Sequence, residues 1–144
     1  MVRIVIIVFR LKYIMFFEFA TNRKMVDSMF PQGIELGKPE LCSILVTEKQ
    51  VQLSLNSNEI PELYPKKWMN SSFNALRVVI ELGDVQNLNY NGGQLGWVES
   101  LDFLWQQKKL DQKIQMSNGT FELCCTYKYL TIKNIQPYDD VRWK

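Results

Sequence analysis

The chain contains no histidine, and this absence limits its chemistry before any motif is considered. Histidine is the commonest general base near neutral pH and the commonest metal ligand in proteins. Cysteine is also scarce, because only Cys42, Cys124 and Cys125 occur and an odd number leaves one thiol unpaired. Cys124 and Cys125 are adjacent, so on a strand they would point to opposite faces and pair poorly with each other. Reduced thiols of this kind predict a cytoplasmic protein.

Recognisable catalytic motifs are equally absent. The sequence has no phosphate-binding loop, no dinucleotide-binding fingerprint and no metal-ligand spacing. Glu99 and Asp102 are three residues apart on a predicted strand, so that spacing points them to opposite faces. The pair Asp139-Asp140 lies in a polar tail and is interpreted as a solvated turn. Without a histidine base to activate a thiol, these observations predict a protein that is not an enzyme and that uses no cofactor or metal.

Charge is distributed unevenly within a net value of +2. Residues 1–24 carry five basic side chains against Glu18 alone, whereas residues 25–144 carry 12 basic and 14 acidic ones. The body is therefore mildly acidic, which argues against nucleic acid as a partner. Residues 1–17 are apolar but interrupted by Arg10 and Lys12, so they fall short of the roughly 20 apolar residues of a membrane span. The basic leader, residues 1–20, is interpreted either as a strand or unnatural translation start, or as a leader or anchor; a membrane partner is not expected.

Alternating apolar residues predict a single domain that is mainly β. The clearest run is Leu76, Val78, Ile80 and Leu82, with Arg77 and Glu81 on the opposite face. Gly83-Asp84 follows as a turn, and residues 85–90 are interpreted as the second arm of a central hairpin. The body would span residues 21–136, followed by a polar tail at residues 137–144.

Further strands are predicted on both sides of this hairpin. They are residues 41–47 and 50–56 around the turn Glu48-Lys49, then 97–106, 110–116, 121–127 and 129–135. Asn118-Gly119 has the residue types of a type I′ hairpin turn, which needs positive φ at both positions. A short helix capped by Thr21 or Asn22 would present Met25, Val26, Met29 and Phe30 on one face. The expected fold is an antiparallel meander of about eight strands, as a curved sheet, sandwich or partial barrel with the helix packed on it.

The loop of residues 64–68 is the best candidate for a binding site that the residues alone offer. It interleaves aromatic and cationic side chains on a backbone stiffened by Pro65, and its candidate contact residues are Tyr64, Lys66, Lys67 and Trp68. Tyrosine and tryptophan bury a large area on contact with a protein partner. The alternative is that Trp68 folds back and packs at one end of the sheet, while the two lysines face outward in either case.

A second functional class is a small-molecule binder with a pocket inside a barrel-like sheet. Small barrels either fill with side chains or hold one ligand. The aromatic residues that could line such a pocket are Trp97, Phe103, Trp105, Phe121 and Tyr127.

The order of several short segments resembles a known family. A helix over residues 22–30 is followed by Ile34-Glu-Leu36 and a hairpin, then by Pro65-Lys-Lys-Trp68, and then by the strand and turn of residues 73–92. This arrangement is similar to that of the Immunity protein 50 family of bacterial polymorphic toxin systems, over residues 22–135. The resemblance implies a compact β-rich cytoplasmic protein that binds and neutralises a cognate toxin domain. It implies no catalytic residues.

Overall fold

The computed structural model describes residues 16–106 and 111–143, without the side chains of residues 105, 106 and 111. Most of the predicted leader therefore lies outside the described residues. The helices and strands are α1 (Arg23–Met29), β1 (Glu40–Val46), β2 (Val51–Ser57), β3 (Ala75–Gly83), β4 (Asn87–Gly92), β5 (Ser100–Gln106), β6 (Asp111–Ser117), β7 (Phe121–Tyr127) and β8 (Tyr129–Tyr138), with 3₁₀ turns at Lys66–Asn70 and Val141–Trp143.

These strands form two antiparallel sheets of four strands each. Sheet I has the order β1-β2-β3-β8, and sheet II has the order β4-β7-β6-β5. The mainly-β prediction is confirmed, and among the arrangements left open the structure is a sandwich rather than a closed barrel. It is not a simple meander, because β8 returns to pair with β3 and β4 pairs with β7.

The apolar faces of both sheets contribute to one buried cluster. Alternate residues of β2, β3, β6, β7 and β8 point inward, as the two-residue period predicted for β3. The inward side chains include Val51, Leu53 and Leu55 of β2, Leu76, Val78, Ile80 and Leu82 of β3, Ile114 and Met116 of β6, Phe121, Leu123, Cys125 and Tyr127 of β7, and Leu130 and Ile132 of β8. The hydrophobic effect therefore holds the two layers together.

The predicted central hairpin is wrong, because its two arms belong to different sheets. β3 pairs with β2 and β8, whereas β4 pairs with β7. Gly83-Asp84 does form a turn, with Asp84 at φ 51°, but the chain then crosses between the layers. The amide of Val85 donates to Lys49 in the turn between β1 and β2 at 3.1 Å, and the next amide, of Gln86, donates to Thr126 in sheet II at 2.8 Å. Alternation located both strands, but it carries no information on which strands pair.

The turn after β6 joins a hairpin as predicted, although its type differs from the prediction. Neither Asn118 nor Gly119 has positive φ, so the turn is not type I′. Instead, the side-chain oxygen of Asn118 accepts hydrogen bonds from the amides of Thr120 at 2.7 Å and Phe121 at 3.0 Å. Asparagine favours turns either by adopting positive φ or by bonding nearby backbone through its side chain, and Asn118 stabilises this loop in the second way.

The predicted helix is confirmed, with Val26 and Phe30 buried and Met29 partly buried, but Met25 is 38% exposed and the capping prediction is wrong. Asn22 occupies the N-cap position, but its side chain makes no capping hydrogen bond to the helix backbone. The Asn22 amide instead donates to the carbonyl of Ile132 at 2.7 Å and accepts from the Ile132 amide at 3.0 Å. Ala20 forms a parallel bridge with Leu130 beside it. Residues 20–22 therefore cover the outer edge of β8 at residues 130–132.

The end of the chain is more ordered than a polar tail. β8 continues through Pro137 to Tyr138, three residues beyond the predicted end of that strand. Proline is tolerated there because β8 is an edge strand of the sheet. The interpretation of Asp139-Asp140 as a solvated turn is wrong for Asp140, which is only 6% exposed. Its burial results from a hydrogen-bond network that defines the site described next.

Candidate functional site

A groove of about 690 Å³ lies where residues 138–142 cross the polar face of sheet I. We call it the tail groove. It is lined by Glu40, Leu41, Cys42, Asn56, Arg77, Gln94, Leu95, Tyr138, Asp139, Asp140, Val141 and Arg142. Strands β1, β2 and β3 supply one wall, the β4–β5 connection a second, and the residues after β8 the third. The groove is open to solvent and therefore accessible to a partner.

Arg142 fastens the chain after β8 to the first strand. Its guanidinium forms a bidentate ion pair with Glu40, with Nη1–Oε2 and Nη2–Oε1 distances of 2.9 and 2.7 Å. The same guanidinium binds Asp140, with Nη2–Oδ2 at 2.7 Å and Nε–Oδ1 at 3.0 Å. Asn74 holds the Asp140 backbone on the other side through bonds of 2.7 and 2.9 Å. Paired charge-assisted bonds of this geometry fix the position of the tail.

A second network orders the floor of the tail groove. The Asn56 amide donates to Glu40 at 3.3 Å, and its oxygen accepts from Nε of Arg77 at 2.9 Å. The guanidinium of Arg77 also stacks on Tyr138, with its carbon 5.2 Å from the ring centroid. No carboxylate among the described residues forms an ion pair with Arg77. Arg77 is thus held in orientation while its terminal N–H groups remain available to a ligand.

Two tryptophans form an apolar rim beside the groove. The ring centroids of Trp97 and Trp143 are 5.6 Å apart, and the Arg142 guanidinium lies 5.8 Å from the Trp143 ring. Trp97 and Val141 are exposed. Tryptophan, tyrosine and arginine are the residue types enriched where a few side chains dominate a protein interface. Because the networks already fix Arg77 and Arg142, binding would cost little further side-chain entropy.

The electrostatics of the groove follow from Arg142. Its hydrogen bonds lower the pKa of Asp140 to about 2 and lower the pKa of Glu40 as well. Partial desolvation and the charge of Glu40 raise the pKa of the Cys42 thiol. Burial raises the pKa of Cys125 to about 12. Neither thiol is therefore activated as a nucleophile, since thiolates form where pKa values fall.

A family model named Immunity protein 50 matches residues 22–138, which is more than half of the chain. The chain belongs to the Immunity protein 50 family. The resemblance seen in the sequence is thereby confirmed, and the family name indicates a non-catalytic role and, in general, a toxin as partner. No curated protein and no solved structure matches the chain.

The match covers much of the tail groove. Glu40, Asn56, Arg77 and Tyr138 lie within the residues that match the immunity family, and Arg142 lies beyond them. Within residues 16–106 and 111–143, no group of three or more His, Cys, Asp or Glu side chains could hold a metal ion. In the same ranges, no helix combines the length and apolar character needed to cross a membrane.

The four predicted contact residues of the 64–68 loop divide into two kinds. Trp68 is 4% exposed and packs edge-on against Phe30 and Phe73, at centroid distances of 5.6 and 5.9 Å. Tyr64 is half-buried and stacks on Trp68 at 6.1 Å. Lys66 and Lys67 face solvent. Trp68 therefore packs at one end of the sandwich, as the structural alternative predicted, and contact between this loop and a partner stays a prediction.

The aromatic residues suggested for an internal pocket do not meet around one cavity. Phe121 and Tyr127 are buried in the common core, whereas Trp97 packs outside it against Trp143. Phe103 is partly buried beside Phe16, at a centroid distance of 6.2 Å, and the side chain of Trp105 lies outside the described residues. The site of a small-molecule binder is therefore not found where the sequence placed it.

Sequence reasoning missed the tail groove altogether. Its polar residues come from β1, β2, β3 and the residues after β8, and Glu40 and Arg142 are 102 positions apart. No local spacing reports such a cluster. The one available signal was the cationic and aromatic content of the last residues, Tyr138, Arg142 and Trp143, which the description of a polar tail overlooked.

Acid should destabilise this immunity-family protein partly by protonating the two carboxylates that pair with Arg142. The pKa of Asp140 falls from 3.8 to about 2 and that of Glu40 falls from 4.5, so both carboxylates stabilise the fold above their unfolded pKa values. That stability is lost as the pH drops from about 4.5 towards 2. Arg142→Met should lower the melting temperature at pH 7 and flatten its decline over this window, as measured by thermal melts at stepped pH.

A matched control is Arg23→Met, which removes the same charge. Arg23 pairs with Glu18 and Asp27 at the surface, and surface pairs contribute little to stability. The control should keep the wild-type pH profile. An unchanged profile in Arg142→Met would show that the Arg142 network does not stabilise the fold.

Proposed function

We propose that this protein is an immunity protein that binds and neutralises a cognate bacterial toxin domain by direct contact. Family membership supports the role. The observation that supports the choice of surface is the tail groove, in which Arg77 is oriented by Asn56 and Tyr138 beside the Trp97–Trp143 pair. A rigid surface with apolar and guanidinium anchors suits tight association, because affinity depends more on such anchors and on preorganisation than on area.

The charges of the groove favour a mixed polar contact. Arg142 is already neutralised by Glu40 and Asp140, so Arg77 is the cation best placed to meet a carboxylate or carbonyl of the toxin. Trp97, Trp143 and Val141 would bury apolar side chains of the toxin next to that contact. This arrangement lets one face select its partner by both shape and charge.

The 64–68 loop is proposed as an extension of the same contact. The loop joins β2 to β3, and the groove lies where β2 ends and β3 begins, so both occupy one end of sheet I. Lys66 and Lys67 are exposed there, and Met69 is 69% exposed beside them. Tyr64 and Trp68 would hold this loop in place by packing against the core rather than touch the toxin.

The proposed site of action is the bacterial cytoplasm, where the toxin-producing cell would need protection. All three cysteines are free thiols, which is the usual state in that reducing compartment. No nucleic acid or cofactor enters the proposed mechanism. Neutralisation would result from occupation of the toxin surface alone.

Co-expression with the toxin domain encoded by the neighbouring gene tests the function directly. Cells should survive toxin induction when this protein is present, and the two chains should co-purify as one complex on size exclusion. A toxin domain from an unrelated system is the control and should kill regardless. The proposal fails if the neighbouring toxin is neither neutralised nor bound.

A further inference from the structure

The edges of sheet I are protected unequally. The outer edge of β8 is covered at residues 130–132 by residues 20–22, through the Ala20–Leu130 bridge and the Asn22 bonds to Ile132. The start of β1 is closed by the β4–β5 connection, since the Leu41 amide donates to Gly96 at 2.9 Å. Beyond that point, no backbone group in the described ranges pairs with the outer edge of residues 43–46. We call residues 43–46 the open β1 edge.

Backbone groups of the open β1 edge point outward at regular intervals. The Thr47 amide donates to Gln50 at 2.9 Å inside the β1–β2 hairpin. Because inward and outward pairs alternate along an antiparallel strand, the amides and carbonyls of Ile44 and Val46 face away from β2. Leu45 and Val46 are 55% and 58% exposed. The edge has no lysine or proline of the kind that usually prevents strands from pairing.

We propose that the open β1 edge pairs antiparallel with the same edge of a second copy of this chain, about a two-fold axis at Leu45. Ile44 of each copy would then lie opposite Val46 of the other, and their outward groups would form four backbone hydrogen bonds. The two copies of sheet I would become one continuous sheet of eight strands. This inference concerns self-association and does not depend on the proposed toxin.

The second copy is the occupant that the sequence of this edge fits. Across the axis, Leu45 meets Leu45, Ile44 meets Val46, and Ser43 meets Thr47, so each apolar residue faces an apolar one and the two hydroxyls face each other. Such cross-strand pairs stabilise antiparallel sheets. No like charges oppose each other between residues 43 and 47. Two-fold symmetry is also the commonest way in which identical chains associate.

The dimer interface at the open β1 edge would be small, so the dimer should be weak. Five residues on each side bury less than the roughly 1,000 Å² expected of a stable interface. The dimer should therefore form reversibly and dissociate on dilution. A two-fold contact of this kind also closes on itself, because each copy uses its open β1 edge and leaves none of it for a third copy.

Sedimentation equilibrium of the full chain over a wide concentration range tests the proposal. Wild type should show a monomer–dimer equilibrium. Val46→Pro removes one outward donor while sparing the inward bonds to β2, and Leu45→Lys places like charges opposite each other at the axis. Each should raise the dimer dissociation constant at least tenfold without unfolding the protein, as checked by circular dichroism. Tyr129→Lys, which alters an equally exposed residue on β8, should dimerise like wild type.

Three results would overturn the inference. One is a protein that stays monomeric at the highest concentration reached. Another is a dimer that survives Leu45→Lys. This substitution leaves all strand hydrogen bonds in place, so it tests the proposal even if Val46→Pro fails to fold. The third is a monomer whose β1 amides gain protection from hydrogen exchange only when toxin is added, which would assign the edge to the toxin.

Discussion

Replacing Trp68 with alanine should destabilise the fold by roughly 3–5 kcal/mol, the range found when large aromatic residues are removed from a core. Trp68 is 4% exposed and its ring contacts Phe30, Phe73 and Tyr64. Alanine would leave a cavity between α1 and the loop that precedes β3. Those aromatic neighbours cannot all move inward, because Phe30 is held by α1 and Phe73 by the start of β3.

Urea and thermal unfolding measure this effect. A loss of this size should lower the melting temperature by on the order of 10 °C in a domain of this length. Met69→Ala is the matched control, since Met69 lies in the same 3₁₀ turn and is 69% exposed. It should change stability by no more than about 0.5 kcal/mol. Wild-type stability in Trp68→Ala would contradict a structural role and restore Trp68 as a candidate contact residue.

The strands were predictable because their burial pattern is local. Leu76, Val78, Ile80 and Leu82 alternate with residues of the opposite face, and the structure buries all four. A pleated strand imposes that period on its own sequence, whatever strand lies beside it. The burial of Trp68 was one of the two alternatives that the sequence of its loop allowed, the other being contact with a partner.

The pairing of strands was not predictable in the same way. Gly83-Asp84 has the residue types of a hairpin turn and does form a turn, but the chain after it enters the other sheet. The choice depends on β8, which begins 46 residues after Gly83 and occupies the place beside β3. Asn22 shows the same limit, because a residue suited to helix capping bonds to Ile132, 110 positions away.

The tail groove could not be predicted from the sequence for a related reason. Asp140 resembles a solvated turn residue until Arg142 and Asn74 surround it, and Arg142 resembles a surface cation until Glu40 approaches it. Each residue is ordinary in its own segment. Their arrangement arises only when β1 and the chain after β8 meet on one face, so only the structure reveals it.

Under the proposed function, disrupting the tail groove should weaken toxin binding more than any other surface change. Trp143→Ala removes half of the Trp97–Trp143 pair, and Arg77→Glu reverses the charge that Tyr138 and Asn56 orient. Each substitution should cost about 2 kcal/mol or more of binding free energy, which is roughly a 30-fold rise in Kd. Titration calorimetry against the neighbouring toxin domain gives this value directly.

Stability and location controls separate this effect from unfolding. Trp143 is half-buried, so thermal melts of Trp143→Ala should stay within about 1 kcal/mol of wild type. Arg77→Glu should cost roughly 1–3 kcal/mol of stability, because it removes the donor to the buried Asn56, so its binding is titrated well below its melting temperature. Tyr129→Ala, at the opposite end of sheet I, should bind toxin normally. The paired reversal Lys66→Glu with Lys67→Glu should weaken binding by a smaller factor, because the loop extends the contact. If that pair abolished binding while Trp143→Ala and Arg77→Glu left it intact, the contact would lie on the 64–68 loop and not in the groove.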